Sequence, residues 1–183
     1  MKVSRRDFLG ASAYASAALN NMLTGYAAEP GKVILVEKTK RNISLYRDGV
    51  LEHSYRIGLG GNPIDDKTRS GDSCTPEGEF HVVAKVAPHQ SFYKLMLIDY
   101  PSEPHALRGY RSGIITNAEY NAIVNAHRAN GTPSQWTALG GDICIHGGGS
   151  DRDWTLGCVA LDNKDIDVVY VWTPMHTKVI IEK

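Results

Sequence analysis

Several things are scarce in this chain of 183 residues. There is no surplus of charge: 20 basic residues stand against 20 acidic ones. A phosphate backbone calls for a basic stripe, so nucleic acid is not expected as a partner. There is no sustained apolar heptad, which excludes a coiled coil. No internal repeat, linker or low-complexity segment divides the chain. No apolar run is long enough to span a bilayer. The one candidate, from Phe8 to about Leu23, is short, rich in Ala and Ser, and interrupted by Asn20 and Asn21. Cysteines number only three. An odd count leaves at least one unpaired or bridged between molecules.

What is present is a 42% hydrophobic fraction and 18 glycines. That is enough apolar material for one domain with a substantial core. The abundance of turn residues favours a β-rich fold with functional loops.

The first residues read as a leader. Ser4-Arg5-Arg6-Asp7-Phe8-Leu9 is a twin-arginine export signature. The apolar run follows it, and then a small-residue site with Gly25 and Ala27, which places cleavage after Ala27 or Ala28. Removing residues 1–27 takes away three basic residues and one acidic residue. The mature chain then holds 17 basic and 19 acidic residues, a net −2. This reading places the protein in the periplasm or cell envelope, delivered by the twin-arginine export machinery, with no stable membrane insertion. Free thiols persist poorly in such a compartment. On sequence alone a bond between Cys74 and Cys144 stays open.

The mature chain, 32–182, reads as a single domain. Lys32–Glu37, Asn42–Arg47 and Val50–Ile57 form a three-stranded meander, with a tight hairpin at Asp48-Gly49. Gly58–Gly78 is a turn-rich loop in which Gly58, Gly60 and Gly61 are turn glycines. Strands are expected at Glu79–Val86 and Tyr93–Ile98, followed by loops bearing Pro and His. His89 and His105 are expected at the surface. Thr116-Asn117-Ala118-Glu119 is a capping box that opens a helix to about Ala129, with His127 on its packed stripe. Short strands follow at Asp142–His146 and Cys158–Leu161. Asn163 caps a helix from Lys164 to about Trp172, and Lys178–Glu182 closes the domain.

The chemistry concentrates between 145 and 159. His146 is followed by three glycines, and Cys158 comes twelve positions later behind Gly157. A thiol becomes a strong nucleophile once an imidazole removes its proton, and that proton can later go to a leaving amine. Glycine before the cysteine permits a sharp turn whose N–H groups face an oxyanion.

These residues resemble the catalytic core of the L,D-transpeptidase (YkuD-type) family. The likeness rests on His146-Gly147, Thr155-Leu156-Gly157-Cys158-Val159 and Asn163. It is joined upstream by Gly71-Asp72 and Thr75-Pro76-Glu77-Gly78-Glu79-Phe80. The resemblance implies a mainly β, sandwich-like domain with one or two short helices. It implies a peptidoglycan stem-peptide substrate, with Cys158 as nucleophile and His146 as proton donor and acceptor. The backbones of Cys158, Gly157 and Leu156 would form the oxyanion hole, and Thr155 would support the loop. The scheme calls for no cofactor and no metal. The chain departs from the family pattern at two places: Leu156 stands where many members carry histidine, and Ala160 where many carry arginine.

The acyl group on Cys158 has two fates. An amine gives transpeptidation. Water gives a carboxypeptidase, an endopeptidase, or cleavage of a lipoprotein–peptidoglycan link. Two other uses of the residues compete: Cys144, His146 and Cys158 as zinc ligands, or a Cys144–Cys158 disulfide in a non-enzymatic wall-binding module.

Overall fold

The computed structural model describes residues 31–183. The leader read at 1–27 lies outside the described residues. Eight strands and three helices follow in the order β1 Lys32–Glu37, β2 Asn42–Arg47, β3 Val50–Arg56, β4 Gly78–His89, β5 Tyr93–Ile98, α1 Glu103–Arg111, α2 Asn117–Arg128, β6 Cys144–His146, β7 Val159–Ala160, α3 Asn163–Trp172 and β8 Lys178–Glu182. The mainly β fold is borne out.

The meander forms as its alternation dictates. β1, β2 and β3 pair antiparallel in sequence order. The β2–β3 turn has positive φ at both Asp48 and Gly49, the backbone that a two-residue hairpin demands. Ile34, Val36, Ile43 and Leu45 are fully buried. Each such side chain contributes about 1.5–3 kcal/mol relative to exposure.

The sandwich-like character comes from one continuous ladder. All eight strands lie in a single sheet, ordered β3-β2-β1-β8-β4-β5-β6-β7. β4 is the corner. Its first residues, Gly78–His81, pair with β8, and those from Val82 onward pair with β5. A register shift between Val82 and Ala84 marks the change; bulges of this kind bend a strand and let it serve two sheet regions. Residues from both ends, Ile34 and Leu45 with Met96 and Ile145, consequently share one apolar core.

Among the described residues three helices are present where the sequence announces two. α1 was read as a Pro- and His-bearing loop. Its Pro lies in the first turn, where a missing N–H costs nothing. α1 also moves His105 from the expected surface to the interior, where it is 3% exposed. α2 has both halves of the Thr116/Glu119 capping box. α1 and α2 pack through a small cluster of their own, Ala106, Ile115, Ile123 and Leu139. The N-cap position of α3 falls one residue earlier than expected, at Asp162, whose side chain makes no capping hydrogen bond. That leaves Asn163 for other work.

Candidate active site

β6 and β7 bring the chemistry together. They are parallel neighbours in which Ile145 pairs with Val159 and His146 with Ala160. Strand side chains alternate between faces. Ile145 and Val159 therefore enter the core, at 0% and 1% exposure, while Cys144, His146 and Cys158 share the opposite face. Two strands of three and two residues thus place an imidazole beside a thiol twelve positions away.

The Cys158 sulfur is half-buried and has several partners. It accepts the backbone N–H of Cys144 at 3.3 Å and donates to the carbonyl of Asp142 at 3.4 Å. Hydrogen bonding with the Cys144 thiol, and then with the His146 imidazole, holds the Cys158 thiol well below its ordinary value against the opposing effect of burial. Cys144 is pushed up, first by its bond to Cys158 and then by burial. The two shifts run in opposite directions, so Cys158 gives up its proton more readily than an ordinary thiol and Cys144 less readily.

His146 is fixed on three sides. Its Nδ1 lies 2.6 Å from the carbonyl of Gly147. That contact assigns the proton to Nδ1 and leaves Nε2 to take one from Cys158. Phe92 lies against the ring at 4.4 Å between centroids, and Trp154 meets it edge-on at 5.7 Å.

The loop before Cys158 is held by Thr155. The Thr155 hydroxyl donates to the carbonyl of Cys158 at 2.8 Å and accepts from the N–H of Gly157 at 3.1 Å. This corrects the expectation for Gly157, whose N–H is spent inside the loop. Gly157 has another reason to be glycine: at φ +135° a Cβ would lie 2.7 Å from the carbonyl oxygen of Cys74. Asn163 accepts the N–H of Gly148 at 2.9 Å, and Asp162 accepts both the N–H and the hydroxyl of Ser150. The start of α3 therefore clamps the glycine run after His146.

A cavity of about 580 Å³ opens above the sulfur, lined in part by Phe92, Asp142, His146, Trp154, Leu156 and Cys158. Its walls are largely apolar. Lys67 also reaches it, but that ammonium is buried against Asp72 at 2.8 Å.

Comparison with known proteins agrees with this geometry. The profile of the YkuD L,D-transpeptidase catalytic domain matches residues 31–181. The chain belongs to the L,D-transpeptidase catalytic domain family. No curated protein matches it. Among solved structures, the helical cell shape determining protein Pgp2 from Campylobacter jejuni is similar over 84% of this chain and 48% of its own, with 20% identity and a TM-score of 0.59. An L,D-transpeptidase from Xylanimonas cellulosilytica is similar over 84% and 61%, with 17% identity and a TM-score of 0.53. One from Mycobacterium tuberculosis covers 84% and 58%, with 13% identity and a TM-score of 0.51. At these identities the likeness is one of fold. This chain spans about half to three-fifths of the length of those chains.

The upstream motifs of the L,D-transpeptidase domain turn out to be buttresses. The Thr75 hydroxyl accepts the N–H of Gly60 at 3.0 Å. Lys38, wholly buried, donates to the carbonyls of Asp65 and Thr75 and to Glu77. Gly58 and Gly60, expected as turn glycines, are close-approach glycines instead. Gly58 exchanges two backbone hydrogen bonds with Ala160. A Cβ on Gly60 would meet the carbonyl oxygen of Ser73 at 2.1 Å. The 58–61 segment thereby runs alongside the loop that leads to Cys158, its Leu59 carbonyl accepting from Trp154 and Thr155. Only the Gly-Leu-Gly alternation, small residues flanking an apolar one, hinted at this in the sequence. The two departures differ in kind. Leu156 is 80% exposed at the cavity rim, whereas Ala160 is fully buried against Gly58, so the place of the family arginine has no room for one.

A second cleft of about 540 Å³ lies elsewhere, lined by His81, Asp99, His127 and His176 among others. Asp99 is central to it: His81 Nδ1 lies 3.2 Å away and His127 Nδ1 3.7 Å. His127 also contacts the carbonyl of Pro101 at 2.9 Å. His127 is thus packed rather than placed near Cys158. The zinc reading finds no support in the geometry, because no group of three or more metal-binding side chains forms among the described residues.

Proposed function

We propose that this protein is a peptidoglycan L,D-transpeptidase of the cell envelope, exported through the twin-arginine pathway. The observation that carries the reading is the relay from Gly147 carbonyl to His146 to Cys158, opening on the 580 Å³ cavity. The thiolate of Cys158 attacks the carbonyl between diaminopimelate and the terminal D-alanine of a stem peptide. The oxyanion is received by the N–H groups of Cys158 and Leu156, since Thr155 occupies that of Gly157. One such donor is worth about 3 kcal/mol in the transition state. His146 gives its proton to the departing D-alanine. An amine from a second stem peptide then takes the acyl group, with His146 accepting its proton. The apolar walls of Phe92, Trp154 and Leu156 suit the stem-peptide backbone between its charged ends.

The test incubates purified protein with a disaccharide tetrapeptide and follows the products by mass spectrometry. Cross-linked dimer with release of D-alanine is the expected result. Disaccharide tripeptide alone would replace the transferase reading by the hydrolase one. No product, together with no carbapenem adduct on Cys158, would overturn both.

A further inference from the structure

Cys144 has no part in the acyl-transfer scheme, yet its thiol sits against the nucleophile. Extending the β6–β7 register by one residue sets Cys144 opposite Cys158. Neighbouring strands run about 4.8 Å apart, which falls within the roughly 4.4–6.8 Å between Cα atoms that a disulfide requires. Directly paired strand residues share a face, so both Cβ vectors leave the sheet together. The Cys144 N–H already points at the Cys158 sulfur, 3.3 Å away. Exposure separates the two thiols: Cys158 is open to the cavity, whereas Cys144 is 8% exposed. The third thiol, Cys74, is buried and turned to the carbonyl of Asp72.

We propose that Cys144 is a resolving cysteine, which makes the active site a reversible site of modification by peroxide-class oxidants. The Cys158 thiolate attacks one peroxide oxygen. The S–O bond forms, the O–O bond breaks, and the departing hydroxide leaves as water with the proton His146 had taken. Cys158 is then a sulfenic acid. The Cys144 sulfur attacks it, the S–S bond forms, the S–O bond breaks, and the hydroxyl leaves as water with the Cys144 proton. Two thiols and one peroxide become one disulfide and two waters. The nucleophile is capped without further oxidation, and a dithiol reductant restores it. That the capping silences acyl transfer rests on the function proposed above; formation of the bond does not.

The experiment reads the covalent state of the full chain, with no need of turnover. Reduced protein is treated with an equivalent of hydrogen peroxide, blocked with N-ethylmaleimide, digested without reductant and mapped by mass spectrometry. The expected result is a cross-linked Cys144–Cys158 peptide pair and a Cys74 that is alkylated once the blocking is done in denaturant, so that free thiols fall from three to one. Dithiothreitol should return Cys158 to its alkylatable form. Given two or more equivalents, a Cys144→Ser variant should instead carry Cys158 to the sulfinic acid, the second peroxide adding the second oxygen and leaving as water, beyond recovery by dithiothreitol, whereas the unaltered chain stops at the disulfide. Sulfinic Cys158 with no cross-link in the unaltered chain, or a bond to Cys74, overturns the proposal. A cross-link in protein that neither transfers nor hydrolyses stem peptides would leave it standing and remove the proposed function.

Discussion

Two clefts of this domain are nearly equal in volume and both hold histidine, but those histidines have very different neighbours. In the second cleft, His81 faces the carboxylate of Asp99, whose hydrogen bond raises its proton affinity above the ordinary value despite partial burial. That ring is built to hold a proton. In the first, His146 faces a peptide carbonyl and a thiol, with aromatic rings on its flanks. A neutral acceptor on one nitrogen orients the ring, and the imidazole meets the Cys158 thiol. A histidine's use is set by what stands behind it.

The sharpest way to break this contrast is to remove the nucleophile. Cys158→Ala should lower turnover of the disaccharide tetrapeptide by about 10⁴-fold or more, while the paired His81→Ala in the other cleft should leave turnover within a factor of about two. His146→Gln should cost about 10²–10⁴-fold in kcat/KM. Adding Gly147's orienting carbonyl cannot help a ring that is no longer there. Thr155→Val keeps the volume but frees the Gly157 N–H and releases the Cys158 carbonyl; a loosened nucleophile should cost about 10–100-fold in kcat with KM little changed.

Thiol labelling sharpens the same point. Cys158 lies below its ordinary proton affinity, whereas burial, aided by Asp72, pushes Cys74 above it. At pH 7 iodoacetamide should modify Cys158 more than about tenfold faster than Cys74. The Cys158 rate should fall only as pH drops through its depressed value, not near the ordinary thiol value.

The smallest effect concerns the second cleft. A histidine whose folded proton affinity is raised stabilises the fold fully below its unfolded value, and this contribution is lost as pH rises through the raised one. For His81, discounted for its exposure, it amounts to under about 1 kcal/mol. His81→Gln should accordingly lower Tm by about 2–3 °C at pH 5.5 and leave it almost unchanged at pH 8.5.

Much of this was legible before any coordinates. The Asp48-Gly49 hairpin, the Thr116 capping box and the Lys178–Glu182 strand are each governed by local chemistry, and local chemistry is what a sequence records. The His146–Cys158 pair could be named because glycines flank both residues. α1 escaped because Pro and Gly punctuate it, although Pro is at ease in a first turn and Gly109 lies where the Leu139 side chain leaves no space for a Cβ. Gly58 and Gly60 are not legible as close-approach glycines because the partner they approach, the loop that leads to Cys158, is about a hundred residues further on. The role of Gly157 was misassigned because a side chain two residues back, not the backbone alone, decides where its N–H points. Long-range contact is the information that the linear pattern withholds.

One feature of the relay reaches past mechanism. The group that orients His146 is the carbonyl of the very next peptide. In many hydrolytic triads that post is filled by a carboxylate, which a single codon change can delete. Here it belongs to the main chain, and every residue type supplies it. Point mutation therefore cannot delete the third member's oxygen, only displace it: a Cβ at position 147 would lie 2.7 Å from Asn163 Oδ1 and 3.1 Å from the Phe92 carbonyl oxygen.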